Sequence, residues 1–366
     1  MEQILNDLVL STAWYYAMAR GLLVIVVLMS IAAYSVLLER KASAWIQGRI
    51  GPNRTSHPVV AWIPFVGNFL MKGGFIQPAA DGLKFLFKEE PMPGHVRKFF
   101  YVLAPCVAIA PALISLVMLP FGQLPSGQII TLCPGADVGV LFMFAISSLG
   151  VYGIALAGWS ANSKYPFLGA VRGSAQLISY ELALGVSVLT VFLATASPDQ
   201  DNALSLVSMV NAQTGAWNIL YHPVAAIIFL ICIFAEANRH PFDMPESETD
   251  LVGGFHTEYG AFKFGLFFVA EYSHMVIGSS LFILMFLGGW HILPWVPTVG
   301  TGIVATLLGL GSFFFKLFLF LFFFVWVRWT VPRFRYDQVM RIGWRVLLPI
   351  AVANLIAYFI FYAIKG

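Results

Sequence analysis

Seven of the chain's 18 acidic residues, Glu236, Asp243, Glu246, Glu248, Asp250, Glu258 and Glu271, fall within one short stretch. Its centre reads Glu236-Ala237-Asn238-Arg239-His240-Pro241-Phe242-Asp243-Met244-Pro245-Glu246-Ser247-Glu248-Thr249-Asp250. Like charges held this close raise one another's pKa and share protons, which is the chemistry of a proton relay. Taken alone, the loop acids fit a solvated acidic surface equally well. Glu271 is different. It lies well inside an apolar run beside Tyr272, Ser273 and His274, where an ionisable side chain marks a functional site by default. Glu181, in Ser179-Tyr180-Glu181, is also set among apolar residues. A carboxylate there would cost about 2.5–3.5 kcal/mol unless it faced protein or water. Glu181, Glu236 and Glu271 are therefore expected to form a buried carboxylate path leading inward from the loop acids.

Two basic and acidic segments accompany these acids. Leu38 to Arg54 carries Glu39, Arg40, Lys41 and Arg49 and alternates charge with apolar residues at near-helical spacing. It reads as an interfacial amphipathic helix, turned at Gly51-Pro52-Asn53 because proline cannot continue a helix. Gln77 to Glu89 reads as a second short amphipathic helix, with Asp81 and Lys84 one turn apart; an exposed pair of that kind stabilises by only about 0.2–0.5 kcal/mol. Neither metal nor cluster chemistry is indicated. Cys106, Cys133 and Cys232 lack C-x-x-C spacing, and the seven histidines make no H-x-x-x-H pair.

These residues must be positioned by membrane helices. Of the 366 residues 59% are hydrophobic and 11% charged, with a mean hydropathy of +0.81, far from the balance of a soluble domain. A hydrocarbon core of ~30 Å needs about 20 apolar residues per helix. Windows of that character lie near residues 14–38, 99–119, 138–159, 177–196, 222–236, 264–287, 302–326 and 344–364, the fifth being short. The fold class is an all-α integral membrane protein of about eight transmembrane helices, with short amphipathic helices in the cytoplasmic loops. Residues 1–366 read as a single membrane domain, residues 39–98 as a cytoplasmic amphipathic segment and residues 236–264 as an acidic cytoplasmic loop. The Phe-rich run Phe313 to Phe324 fits a lipid-facing helix surface. The first apolar run is too long for a signal peptide and is expected to be a permanent span.

Orientation follows from the basic residues. The segment 39–98 holds nine Lys and Arg, the last loop holds Arg328, Arg333, Arg335 and Arg341, and the loops on the other side hold none. Loops one, three, five and seven therefore face the cytoplasm or matrix. Both termini face the opposite, periplasmic side.

Several blocks together resemble a known family, the quinone-site membrane subunit of proton-pumping NADH:quinone oxidoreductase, respiratory complex I. They are E-R-K with Q-x-R-x-G-P-N at Glu39 to Asn53, Q-P-x-A-D-G-x-K at Gln77 to Lys84 and A-G-W-x-x-x-x-K-Y at Ala157 to Tyr165. Downstream are S-Y-E at Ser179, R-x-P-F-D-x-P-E at Arg239, T-E-Y at Thr257, A-E-Y at Ala270 and R-Y-D-Q at Arg335.

The resemblance implies a quinone substrate (ubiquinone or menaquinone) at Glu39, Arg40, Arg49, Asp81 and Arg239. It also implies a proton path through Glu181, Glu236, Asp243, Glu246, Glu248, Glu258 and Glu271. The implied partners are the other membrane subunits of the complex and the iron–sulfur and quinone-site subunits of a peripheral arm. This chain would hold no iron–sulfur cluster or flavin, no metal and no nucleic acid, and would lie in a bacterial inner membrane, not catalytic alone. Two departures stand out: an apolar insertion at 55–76, and Asp250 where many relatives carry Glu. Weighed against this reading are the homologous subunit of a proton-pumping membrane-bound hydrogenase, a secondary transporter using the buried acids, and a structural anchor.

Overall fold

The computed structural model describes residues 14–55, 66–124, 128–131, 138–195, 204–293 and 303–365. The chain is an all-α integral membrane protein in which Gly122–Gln123 and Ile129–Ile130 form one two-residue antiparallel strand pair. Among the described residues, seven helices are long and apolar enough to cross a bilayer, and an eighth, shorter apolar helix accompanies them. In order they are α1 (Trp14–Ile46), the surface helices α2 (Val66–Gly73) and α3 (Gln77–Phe87), and α4 (Lys98–Val117). The pair α5 (Gly139–Ser147) and α6 (Gly150–Ser160) makes one broken span, followed by α7 (Lys164–Thr195). Short helices α8 (Leu206–Ala212) and α9 (Asn218–Tyr221) lead into α10 (Pro223–Glu236), the short apolar helix, and α11 (Glu248–Leu251). Finally come α12 (Ala261–Phe286), α13 (Ile303–Thr330) and α14 (Tyr336–Ile364), the last containing a π-helical stretch at Ile342–Leu347. Seven of the eight windows read from hydropathy overlap these spans, and the fifth, short one overlaps the shorter apolar helix α10.

Two segments differ from expectation. The stretch after Leu38 is not a separate interfacial helix, because α1 runs unbroken to Ile46. Nothing between Leu38 and Ile46 stops a helix, whereas Gly48 adopts φ +68° and Gly51 φ +79°, the left-handed geometry that ends helices at glycine. Helix α7 begins at Lys164, well before the apolar window opens at residue 177, with Pro166 in its first turn where the missing N–H is harmless. Helix α3 lies where expected. Within the apolar insertion, Val66–Gly73 is helical, and residues 56–65 lie outside the described residues.

Lipid is as apolar as leucine, so helix association here rests on close packing. Small residues mark the closest approaches. A Cβ on Gly153 would lie 2.6 Å from the Ala108 backbone, and one on Gly278 2.5 Å from Ile233. On α7, Gly169 and Gly173, four residues apart, receive the loop that follows α10: their Cβ positions fall 2.9 Å from the Pro245 carbonyl and 2.6 Å from the Pro245 ring. Gln176, one turn further, donates from Nε2 to both the Ala235 and Phe242 carbonyls, at 2.8 and 2.7 Å. The acidic loop is thus seated on a glycine shelf and tied by one amide. Gly169→Val is expected to push the loop off that shelf, with overpacking of about 1–3 kcal/mol; a lowered thermal inactivation temperature of the assembled protein is the readout.

At the far end of α12, Lys316 of α13 donates to the carbonyls of Leu287, Gly289 and His291 at 2.8, 3.0 and 2.5 Å. It satisfies backbone acceptors left open where the helix ends. The Phe-rich run only partly faces lipid: Phe315 and Phe318 are exposed, whereas Phe313 and Phe324 are buried and Phe324 stacks on Phe234.

Candidate functional site

Arg239 joins three elements. It projects from the loop after α10 and is 5% exposed. Its Nη1 lies 3.2 Å from Glu39 Oε2 of α1, its Nε lies 2.8 Å from Glu271 Oε1 of α12, and its guanidinium rests 4.1 Å from the Tyr272 ring centre. The Tyr272 hydroxyl donates to Glu39 Oε2 at 2.6 Å, and Arg328 of α13 pairs with the other oxygen of Glu39. Burial opposes the charge on Arg239, but Glu271, Tyr272 and Glu39 outweigh it and hold the guanidinium protonated. Planar Arg, with donors on several sides, suits a position that serves two carboxylates at once.

Beside this cluster, Asp243 accepts from Arg333 Nη2 at 2.8 Å and Glu246 Oε1 lies 3.6 Å from His256 Nδ1. Burial pushes His256 down to about 4, so its ring is neutral. Burial also pushes the Glu246 carboxyl well above its usual range, reinforced by Glu271 and Asp243 against the pull of Arg239 and Arg328. Counting agrees. Glu39, Asp243, Glu246 and Glu271 are four acids facing three guanidiniums, Arg239, Arg328 and Arg333, so one proton balances the group.

A raised acid of this kind stabilises the fold below its ordinary pKa, and that contribution is lost as pH rises through the elevated value. Infrared spectra of the assembled protein at neutral pH are expected to show a protonated carboxyl that is missing in Glu246→Gln. Its persistence in that variant would place the proton elsewhere.

Glu181, Glu236, Glu246 and Glu271 all line one cavity of about 60 Å³, together with His274 and with Ser147 and Ser148 at the break between α5 and α6. The serine hydroxyls bond back to Phe144 and Ala145 carbonyls at 3.1 and 2.9 Å, and such bonds compete with helix continuation. Gly150 leaves room for His274, whose Nε2 would be 3.3 Å from an added Cβ. On the other side of Arg239, a cleft of about 380 Å³ runs between α1, α3 and α12. Its lining is apolar except near Arg40 and Asp81, and it reaches Tyr272. Asp81 pairs with Arg40 at 2.6 Å and accepts from Gln77 at 3.0 Å, in place of the pair with Lys84 expected from spacing.

Other candidate residues lie apart. Arg49 is exposed and bonds Gln47. Glu258 lies 4.0 Å from His95, and its backbone carbonyl accepts from Tyr101 at 2.6 Å; it does not line the acidic cavity. Asp250 is 3.4 Å from Arg172. Glu248 opens α11, and its side chain lies outside what the structure describes. Conversely, Tyr272, Arg328, Arg333, His256 and Gln176 belong to the site but were not singled out as site residues by sequence. Arg328 and Arg333 registered only as topology-setting charges.

Fold and site together define a polytopic helical membrane protein in which a buried, cation-bridged acid cluster separates an apolar cleft from an acidic cavity. A family model described as NADH dehydrogenase matches residues 19–359, and the chain belongs to that family. It is 44% identical over 367 residues to an NADH-quinone oxidoreductase subunit of Koribacter versatilis, covering 95% of this chain and 97% of that one. It is 43% identical over 331 residues to the corresponding NADH-quinone oxidoreductase subunit of Cytophaga hutchinsonii, covering 89% and 90%. With that of Geobacter metallireducens it shares 44% over 343 residues, covering 93% and 94%.

Proposed function

We propose that this chain is the inner-membrane subunit of an NADH–quinone oxidoreductase that forms the quinone cavity and couples quinone reduction to proton translocation. The observation that carries this reading is the position of two consecutive residues of α12. Tyr272 lines the apolar cleft while Glu271 lines the acidic cavity, and Arg239 contacts both. The cleft has the apolar lining and few polar groups that suit a lipid-soluble quinone. The cavity has the crowded carboxyls that suit proton transfer.

In this mechanism quinone moves along the cleft past Arg40 and Asp81, with its headgroup travelling toward the peripheral arm. Arg49, exposed on the basic side, faces that arm. Reduction of the quinone adds electrons and draws protons, which changes the charge felt by Glu39 and Tyr272. Arg239 then shifts its balance between Glu39 and Glu271, and a proton passes among Glu271, Glu246, Glu236 and Glu181. Asp243, Glu248 and Glu258 belong to the approach on the cytoplasmic side. Electrons come from an iron–sulfur subunit of the arm, so the chain is not catalytic alone. Both termini lie on the periplasmic side.

The test is to tag the chain, extract it in mild detergent and assay the assembly that co-purifies. NADH oxidation coupled to reduction of a quinone analogue is expected. Hydrogenase activity would favour the related hydrogenase subunit, and ion movement by the isolated chain in liposomes would favour a transporter, a reading to which the broken helix at Ser147–Leu149 also gives some support.

A further inference from the structure

The apolar insertion builds a second groove, on the opposite face of α1 from the Arg40 cleft. Its walls come from α1, α2 and α13, including Ile31, Leu38, Phe69, Leu317 and Phe318, and it encloses about 750 Å³. The cleft uses Met29, Ala32, Ala33, Val36 and Arg40 of α1, whereas the groove uses Ser30, Ile31, Tyr34, Leu38 and Lys41, so the helix itself separates them. Helix α2 is braced by Phe69 stacked on Phe75 at 5.8 Å, and Phe75 lies 6.3 Å from Tyr34. Gly74 makes the return turn at φ +75°, where an added Cβ would strike the Pro52 carbonyl at 2.4 Å.

The groove has a polar end and an apolar end. Lys41, Trp45 and Lys72 line the end near the C-terminus of α1. Lys41 Nζ is held 3.4 Å from the carbonyls of Ile50 and Lys72, while Lys72 is exposed. No carboxylate is among the described residues that line it. Along α1 the lining runs from Ser30 to Trp45, about 22 Å of helix at ~1.5 Å per residue, the scale of one acyl chain within one leaflet. Tryptophan and lysine at this level are the residues that sit among lipid headgroups.

We propose that this groove is a binding site for an anionic phospholipid of the leaflet on the basic side, with the headgroup at Lys41 and Lys72 and an acyl chain along Ile31, Leu38 and Phe318. Two ammonium groups with no facing acid favour an anionic over a zwitterionic headgroup, by roughly fivefold for each lysine. An apolar protein helix or a quinone tail would leave both lysines without an anionic partner from the occupant.

The test places a photo-reactive phenylalanine analogue at position 318, irradiates native membranes and identifies the adduct on this chain by mass spectrometry. A phosphatidylglycerol adduct enriched over the lipid's share of the membrane is the expected result. Lys72→Glu is expected to reduce that enrichment at least roughly fivefold. Should that variant fail to assemble, Lys72→Gln and Lys41→Gln make the same comparison. Adducts that follow bulk lipid composition, a quinone adduct, or a crosslink to another subunit would each overturn the proposal.

Discussion

Arg239→Met is expected to abolish most quinone reductase activity and to lower the amount of assembled complex. The substitution keeps an apolar stem of similar length and removes the cation between Glu39 and Glu271. Breaking a buried pair by deleting one partner costs about 3–5 kcal/mol, because the remaining charge stays buried without compensation. The two acids will not suffer equally. Glu39 keeps Arg328 and the Tyr272 hydroxyl, while Arg239 is the only ion-pair partner of Glu271 among the described residues.

The penalty is therefore expected to fall mainly on Glu271, and the double variant Arg239→Met with Glu271→Gln should assemble better than Arg239→Met alone. A double-mutant cycle on abundance and on thermal inactivation measures this coupling. Arg239→Lys keeps a charge but replaces a planar fork with a single ammonium that cannot serve both carboxylates, so an intermediate phenotype is expected. Full activity of Arg239→Met at normal abundance would remove the bridge from the coupling mechanism.

What the sequence made legible followed from composition and local pattern. Apolar windows located the spans because backbone groups in lipid must be satisfied within each helix. The asymmetry of Lys and Arg suggests an orientation, and the dense acids between Glu236 and Glu271 include Asp243, Glu246 and Glu271, three of the four carboxyls gathered around Arg239, Arg328 and Arg333. Pairing was not legible. Glu39 meets Arg239, Tyr272 and Arg328 across 200, 233 and 289 residues, and no spacing rule reaches that far. For the same reason the local rule that paired Asp81 with Lys84 gave way to Arg40, 41 residues away.

Glu258 and Glu246 show the same limit from the other direction. Both stand in the acidic stretch, yet Gly254 at φ +62° turns the chain so closely on Pro245 that the two acids diverge. Glu246 goes into the cavity and Glu258 toward His95. Gln176 was overlooked because an amide inside an apolar helix carries no charge to mark it, although it ties down the loop that presents Arg239.

Glu271→Gln is expected to leave assembly intact while lowering quinone reductase and proton pumping at least roughly tenfold, the lower range of what positioned proton transfer contributes being about a hundredfold. The glutamine occupies the same space and keeps an oxygen beside Arg239, which also retains Glu39, so no buried cation is stranded. What is lost is the ability to take and release a proton where the Arg239 bridge meets the acidic cavity. Glu271→Asp keeps the proton but withdraws the carboxylate from a 2.8 Å contact, and should fall between the two.

Comparison with the other cavity acids sharpens the test. Glu181 and Glu236 line the same cavity but have no cation partner among the described ion pairs. Glu181→Gln and Glu236→Gln are therefore expected to lower pumping while leaving the response of the quinone cleft less disturbed. If all three variants reduce quinone with wild-type rate and pump normally in proteoliposomes, the carboxylates are structural, and the coupling must run through groups other than this cavity.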